Sequence, residues 1–376
     1  MHDSWIREPY RLFFPLGALY LLWGILLWLP LIWTPDEYPV LAHRYLVLNG
    51  FMGSFIAGFL MTAVPKFSKT SSAKTFEVLL FGSVTLTGVF FAYRGEEKAA
   101  LFVSALQPLI ILSFLFSRIT KRKENPPYSF VFIFVGLLLW LGSALSGIFI
   151  DLEALKNLHY EGAMASIILG VGSRLIPGIL GHVEVVALQR EKYEKTLPIL
   201  STVPKHFLGL IIAFVGSYFL SESVGDYLRA FVVGFIALKY WWLFKLPQIK
   251  TALTWSLWLS GWLIVLSFFL KALWPDGMIH ASHSFFINGI VLLSLLVSIR
   301  VLQSHGPGNN ELENRKLIYV ITFLVILAAA TRVSAYLMPA LYLTHLGYSS
   351  FVLTLAIIVW GFGYLRYIFI FNKSHP

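Results

Sequence analysis

The sequence predicts an all-α polytopic membrane protein: a bundle of twelve transmembrane helices with both termini on the cytoplasmic side. Three observations predict it. Hydrophobic residues make up 57% of the chain and charged residues only 13%, about half the charge of a soluble domain. The apolar residues fall into runs of roughly 20, the length that crosses a hydrocarbon core of about 30 Å. Lys and Arg gather in alternate connections between those runs, as the positive-inside rule requires.

The runs lie near 12–33, 41–64, 76–93, 98–117, 128–150, 157–176, 205–220, 226–244, 252–273, 280–302, 317–339 and 349–371. The first follows Arg7 and Arg11 and resembles a signal peptide. Its apolar stretch is too long and no small-residue cleavage site follows, so it reads as a retained anchor. The second opens at His43 and carries Gly50, Gly53 and Gly58, small residues that let helices approach closely. The sixth opens at His159 and carries Gly162 and Gly170; the twelfth carries Gly361 and Gly363. The seventh is the shortest. The tenth opens with His280 and His283, and the eleventh contains Arg332. Pro65, Pro126, Pro127, Pro177, Pro198, Pro204, Pro247 and Pro339 fall where helices should stop.

Orientation follows from the short connections. One set holds Arg7 and Arg11; Lys66, Lys69 and Lys74; Arg118, Lys121, Arg122 and Lys123; Arg190, Lys192 and Lys195; Lys245 and Lys250; Arg300, Arg315 and Lys316; and Lys373. The other holds Arg94, Lys98 and Lys156, with Asp36, Glu37, Asp151, Glu153, Glu222, Asp226 and Asp276. The first set is therefore cytoplasmic. The bias keeps its alternation past 205–220, which supports that segment as a span. The whole chain, 1–376, reads as a single membrane domain. Its two six-helix halves, about 1–176 and 205–376, are joined by a cytoplasmic loop at 177–204.

The chain has no cysteine. Disulfides, thiolate-ligated haem and iron–sulfur clusters are excluded. A transition metal here must be held by imidazole, carboxylate, thioether or phenol. The formal net charge is +10, but positive-inside sorting accounts for a basic surplus in a membrane protein. No nucleic-acid partner is implied; the surroundings are membrane lipid.

His43, His159 and the pair His280/His283 all open their spans from the outer face, and His345 lies in the last outer loop. His2, His182, His206, His305 and His375 lie on the other side. A lone interfacial histidine needs no function. Four at one depth on three helices make a joint metal or cofactor site the competing reading. Residues three apart share one helix face, so His280 and His283 can serve one metal or two adjacent centres. Imidazole suits iron, copper and zinc, and a helix bundle can supply a bis-histidine haem from two helices. Arg332 sits inside its span, where an arginine usually faces a partner. That partner is a carboxylate such as Glu161, a backbone carbonyl or, in the functional reading, a haem propionate gripped by two hydrogen bonds. Arg44 and Lys271 read as snorkelling cations.

Four stretches, "YRLFF" before span one, "GFLMTAVPKFSKT" ending span two, "SRLIPGILGH" after span six and "HASHSFFINGI" opening span ten, together resemble the NnrS family. The resemblance implies a bacterial inner (cytoplasmic) membrane protein of twelve spans. It also implies haem and copper as cofactors and a role in nitric oxide metabolism or resistance to nitrosative stress. Family members carry His-x-His-Glu at the start of span two. Here His43 matches the first histidine, while Tyr45 and Leu46 stand at the second histidine and the Glu. The His-Thr-Gly-Arg tail after span ten is represented only by "SHGPG". These departures favour haem over copper. A weaker likeness, to the catalytic subunit of haem–copper oxidases, covers spans two, six and ten in histidine type and depth. Span seven offers no histidine at its outer end, which excludes an oxidase-type copper centre.

The expected function is thus a haem b protein, possible copper aside, that meets a small diatomic ligand such as nitric oxide. His43 and one of His280/His283 would hold the haem. His159 and the other span-ten histidine would face a second metal or an open iron position, and Arg332 would hold a propionate. The same ligands would serve turnover, binding or sensing, and no electron donor is indicated. The alternative is a twelve-span secondary transporter, which the 6+6 layout fits. Its intramembrane charges, however, lie mostly towards span ends. A third reading is an assembly or stress-protection factor with no cofactor.

Overall fold

A computed structural model describes residues 7–30, 38–184, 186, 198–305 and 311–369. His2, Asp36, Glu37, Lys373 and His375 lie outside the described residues, as does the whole 187–197 stretch with Arg190, Lys192 and Lys195. The described residues are helical and contain no strand. In chain order the helices are α1 (Tyr10–Leu26), α2 (Val40–Ser68), α3 (Thr75–Tyr93), α4 (Glu97–Ile119), α5 (Phe130–Gly147) and α6 (Glu153–Ile179). They continue with α7 (Lys205–Phe219), α8 (Glu222–Lys239), α9 (Ala252–Leu273), α10 (Pro275–His305), α11 (Leu317–Leu337) and α12 (Pro339–Phe369).

Nine of these are long and apolar enough to cross a membrane: α2 to α6 and α9 to α12. Helices α1 and α7 are apolar but shorter. Helix α8 has the length but carries Glu222, Asp226, Arg229 and Lys239 within 18 residues. Large apolar side chains point outward along the helices, among them Phe76, Phe116, Ile212 and Phe362. A soluble surface does not tolerate such a density of them; lipid does.

The chain forms two compact units. The first takes α1 as far as Leu21, α2 to α6 as far as Gly178, and α7 with α8 as far as Val232. The second takes the rest of α1 from Leu22, a short piece at 179–182, and the chain from Val233 onward. The grouping thus differs from a cut at the 177–204 loop. Aromatic packing explains the difference, because α7 sets Phe207 against Tyr128 and Phe132, and Phe214 against Phe132.

Within the first unit, "YRLFF" packs on the Gly-bearing face of α2. Tyr10, Arg11, Phe13 and Phe14 are each no more than 1% exposed. A methyl group at Gly58 would lie 3.1 Å from Tyr10 Cα and from Phe13 Cβ, so only glycine lets α1 come this close. The Tyr10 amide donates to Thr62 Oγ1 at 3.3 Å, and Arg11 Nε donates to Glu8 at 2.7 Å. The loop after α2 is braced by Arg118 of α4, which pairs with Glu77 and donates to the Ser72 carbonyl at 3.0 Å.

Within the second unit, α9 meets α10 through Phe268 and Phe285, with ring centroids 5.1 Å apart, and through Ser267 and Ser284, whose hydroxyls lie 2.9 Å apart. Trp360 of α12 donates to Ser298 of α10 at 3.1 Å. Ser349 of α12 donates to the Ala328 carbonyl of α11 at 2.8 Å.

Helices α5 and α6 come close at Gly136 and at Gly170; at Gly170 an added Cβ would fall 2.7 Å from Ile133 Cγ1 and 2.9 Å from the Ile133 amide nitrogen. Replacement Gly170→Ala should therefore force the two helices apart at a cost of about 1–3 kcal/mol. A lowered unfolding midpoint in detergent checks this; an unchanged midpoint would show that the contact is looser than described.

Candidate functional site

Among the described residues three helices contain π-helical segments, and each has histidine in its first turns: Tyr45–Met52 in α2, Leu158–Gly162 in α6 and Phe285–Leu292 in α10. Helices α7 with His206 and α12 with His345 also carry histidine in their first turns and have no such segment. A π-turn inserts a residue into the helix and frees carbonyls from their usual i+4 donors. Such turns are rare and concentrate at functional sites. Here His43 stands just ahead of the first, His159 lies within the second, and His280 and His283 stand just ahead of the third.

In a membrane the freed groups must be satisfied by neighbouring side chains. In α2 the Asn49 carbonyl accepts from Gln107 Nε2 at 3.1 Å. The Asn49 side-chain amide donates to Gln107 Oε1 at 2.8 Å and to Ser104 Oγ at 2.6 Å. Gln107 also donates to Thr85 Oγ1, and Trp140 Nε1 donates to Ser104. In α10 the Asn288 carbonyl accepts from Ser260 Oγ at 3.2 Å, while its amide donates to Ser284 Oγ at 3.3 Å. Both devices are built on an Asn-Gly pair inside an apolar span, Asn49-Gly50 and Asn288-Gly289. That dipeptide is the signal in the sequence that could have located them.

His43 is half-buried in the first turn of α2. The neighbouring Arg44 is exposed and its guanidinium lies 5.0 Å from the ring centroid of Tyr160. His159 is buried, with Nδ1 3.1 Å from Ser143 Oγ. The Ser143 hydroxyl itself donates to the Leu139 carbonyl at 2.6 Å. Ser143 therefore accepts from Nδ1–H, which assigns the imidazole lone pair to Nε2. The ring of Tyr160 meets that of His159 edge-on at 4.9 Å.

In the second unit His280 and Arg332 come together. Arg332 Nη1 lies 2.8 Å from His280 Nδ1, and the Arg332 carbonyl lies 3.3 Å from the same nitrogen. A guanidinium can only donate, so in that contact Nδ1 accepts. Trp274, Tyr336 and Tyr342 surround the ring. His283 differs from His280: its Nδ1 lies 2.7 Å from the Ile279 carbonyl, to which it must donate. The lone pair of His283 is therefore on Nε2, the arrangement typical of metal-ligating histidines.

Several expectations change. Arg332 faces His280 rather than Glu161. Glu161 accepts from Tyr218 Oη at 3.0 Å and lies 4.0 Å from Arg229, which also pairs with Asp226. Lys271 is buried at 4% exposure instead of snorkelling, because its face of α9 packs inward. His345 belongs to helix α12 rather than a loop, with Nδ1 2.9 Å from Ser334 Oγ. Among the described residues no group of three or more His, Asp or Glu side chains gathers as a metal site.

A model of the family described as NnrS, NnrS protein, matches residues 4–370, nearly the whole chain. No curated protein matches the chain.

Gln107 is the shared donor of the α2 device. In Gln107→Leu the Asn49 carbonyl loses its side-chain donor and the Asn49 amide keeps only Ser104, in a buried setting. The expected loss is about 1–3 kcal/mol, seen as a lower unfolding midpoint. Preserved stability in that variant would remove Gln107 from the support of the π-turn.

Proposed function

We propose that this chain, which belongs to the NnrS family, is a haem b protein of the bacterial inner membrane that acts in nitric oxide metabolism or nitrosative-stress resistance. In this reading the twelve helices all cross the bilayer. Both ends are cytoplasmic, and the histidine-bearing ends of α2, α6 and α10 lie near the outer face. The observation that carries the proposal is that each of the three π-turns lies at or just after the histidines of its helix, His43, His159 and the pair His280/His283.

The residues present fit a haem in one respect that does not depend on family. His283 is held as the Nδ1–H tautomer by the Ile279 carbonyl, which puts the ring lone pair on Nε2, the nitrogen we assign to the iron. His43 is the ligand we assign on α2. His280 is the less suited of the span-ten pair, since its Nδ1 engages Arg332. A bound haem, held by His283 and His43, would supply an iron able to pass electrons or to take a diatomic gas. The chain's own part is to hold His283 Nε2 ready and to keep Arg332 near its helix end as a cation for a propionate. The aromatic residues around His280 keep water from that corner. Copper fits less well, because a site without cysteine asks for several imidazoles or carboxylates together, and no such group occurs among the described residues.

The detergent-purified protein should show a Soret band that shifts on reduction, with iron by elemental analysis and no matching copper. His283→Ala should remove most of the band, and His43→Ala should remove or shift it. Undiminished colour in a variant lacking His43, His280 and His283 together would overturn the ligand assignment.

A further inference from the structure

A pocket of about 270 Å3 opens between the start of α4, the end of α5 and the start of α6, within the first unit. It is smaller than the roughly 300–1,000 Å3 of sites for drug-sized ligands, and suits a single substituted ring. His159 lines it, and so do Ser143 and Tyr160. Its apolar wall includes Leu101 and runs out to Phe149 and Ile150, which are 84% and 56% exposed. That lip lies at the helix ends which the proposed topology sets at the outer headgroups, so a ligand's apolar tail can leave sideways into lipid.

We infer that this pocket binds the head group of a lipid-soluble hydroquinone, with His159 Nε2 accepting a hydrogen bond from a ring hydroxyl. Three features select that chemistry. The lining charges cancel, Glu97 and Asp151 against Lys98 and Lys156, and Lys156 is already paired with Asp151 at 2.6 Å; the site favours a neutral ligand over an anion or a metal cation. The Ser143 contact leaves His159 Nε2 as an acceptor. A phosphate oxygen also accepts and finds no partner there, whereas a hydroxyl does. The open apolar lip suits an amphiphile rather than a water-soluble solute. Ser143 is a positioning residue: it sets which imidazole nitrogen meets the ligand. The inference goes beyond the haem reading and does not rest on it.

The test is equilibrium binding of a short-tailed hydroquinone, kept reduced, to the purified full-length protein, followed by tryptophan fluorescence. One saturable site per chain is expected, with the oxidised quinone binding about tenfold more weakly because it offers no donor to Nε2. Gly147→Leu should weaken binding at least tenfold by filling the pocket; a Cβ there meets Leu101 at an ordinary 3.4 Å, so the fold accommodates it. Should that variant fail to fold, Leu101→Trp fills the same space. Ser143→Ala should abolish the preference for the reduced form. Absence of saturable binding, equal binding in the filled variants, or displacement by phosphatidylglycerol at matched concentration would each overturn the inference. The Soret band of the same samples reports on the haem reading separately.

Discussion

In a hydrocarbon core, a backbone carbonyl that loses its helical donor must find another within the protein, or a penalty of several kcal/mol follows. The rest of the structure depends on how this chain meets that demand at its π-turns. Asn49 and Asn288 each sit where the helix widens, and each carbonyl is taken by a side chain from a neighbouring helix, Gln107 or Ser260. Around these two carbonyls the buried polar residues gather: Gln107 and Ser104 about Asn49, and Ser260 and Ser284 about Asn288. The widened turns alter the angular offset of what precedes them, so the histidine-bearing ends of α2 and α10 are rotated from where an unbroken α-helix would carry them.

The stretches that resemble the family divide by physical role. "YRLFF" and the glycine-bearing part of "GFLMTAVPKFSKT" are a packing pair: Tyr10, Phe13 and Phe14 fill the space that Gly58 leaves. The lysine-rich end of the second stretch is held by loop contacts, with Lys69 in the left-handed region at φ 52° and the Ser68 carbonyl accepting from the Lys123 amide at 2.8 Å. "HASHSFFINGI" is different, since it combines imidazoles, a π-turn and an Asn carbonyl needing a donor. The first pair explains how helices come close; the last stretch carries the imidazoles that the haem proposal uses.

Much of the helical layout was legible because span length and apolar content obey one constraint. The expected 252–273 is Ala252–Leu273, and 205–220 is Lys205–Phe219. Several starts were placed late, two of them by five residues or more. Helix α10 begins at Pro275, where a short 3-10 turn leads into the helix, and α12 begins at Pro339. In both cases the first turns carry polar or interfacial residues, "PDGMIH" and "PALYLTH", which apolar counting passes over. The histidine-bearing ends were legible from spacing and depth. The π-turns were not, because one inserted residue hardly disturbs the periodicity of a span that is apolar all round. Nor were the partners of Arg332 and Glu161 legible, since a sequence does not say which of several buried charges a helix rotation brings together.

The two span-ten histidines show why spacing alone underdetermines chemistry. At i and i+3 they share a helix face, and the sequence treats them as equivalent. Their second nitrogens settle otherwise. His283 donates from Nδ1 to a carbonyl of its own helix, a contact any helix can provide, which places its lone pair on Nε2. His280 places Nδ1 between the guanidinium and the carbonyl of Arg332. With the guanidinium as partner the proton of the neutral ring must sit on Nε2, which cannot then ligate; with the carbonyl as partner it sits on Nδ1, and Nε2 is available. Drawing Arg332 away towards an anion, such as a propionate, would leave the carbonyl as the remaining partner. The binding of an anion by Arg332 and the availability of His280 as a ligand are therefore coupled through one nitrogen atom, whereas His283 is indifferent to it.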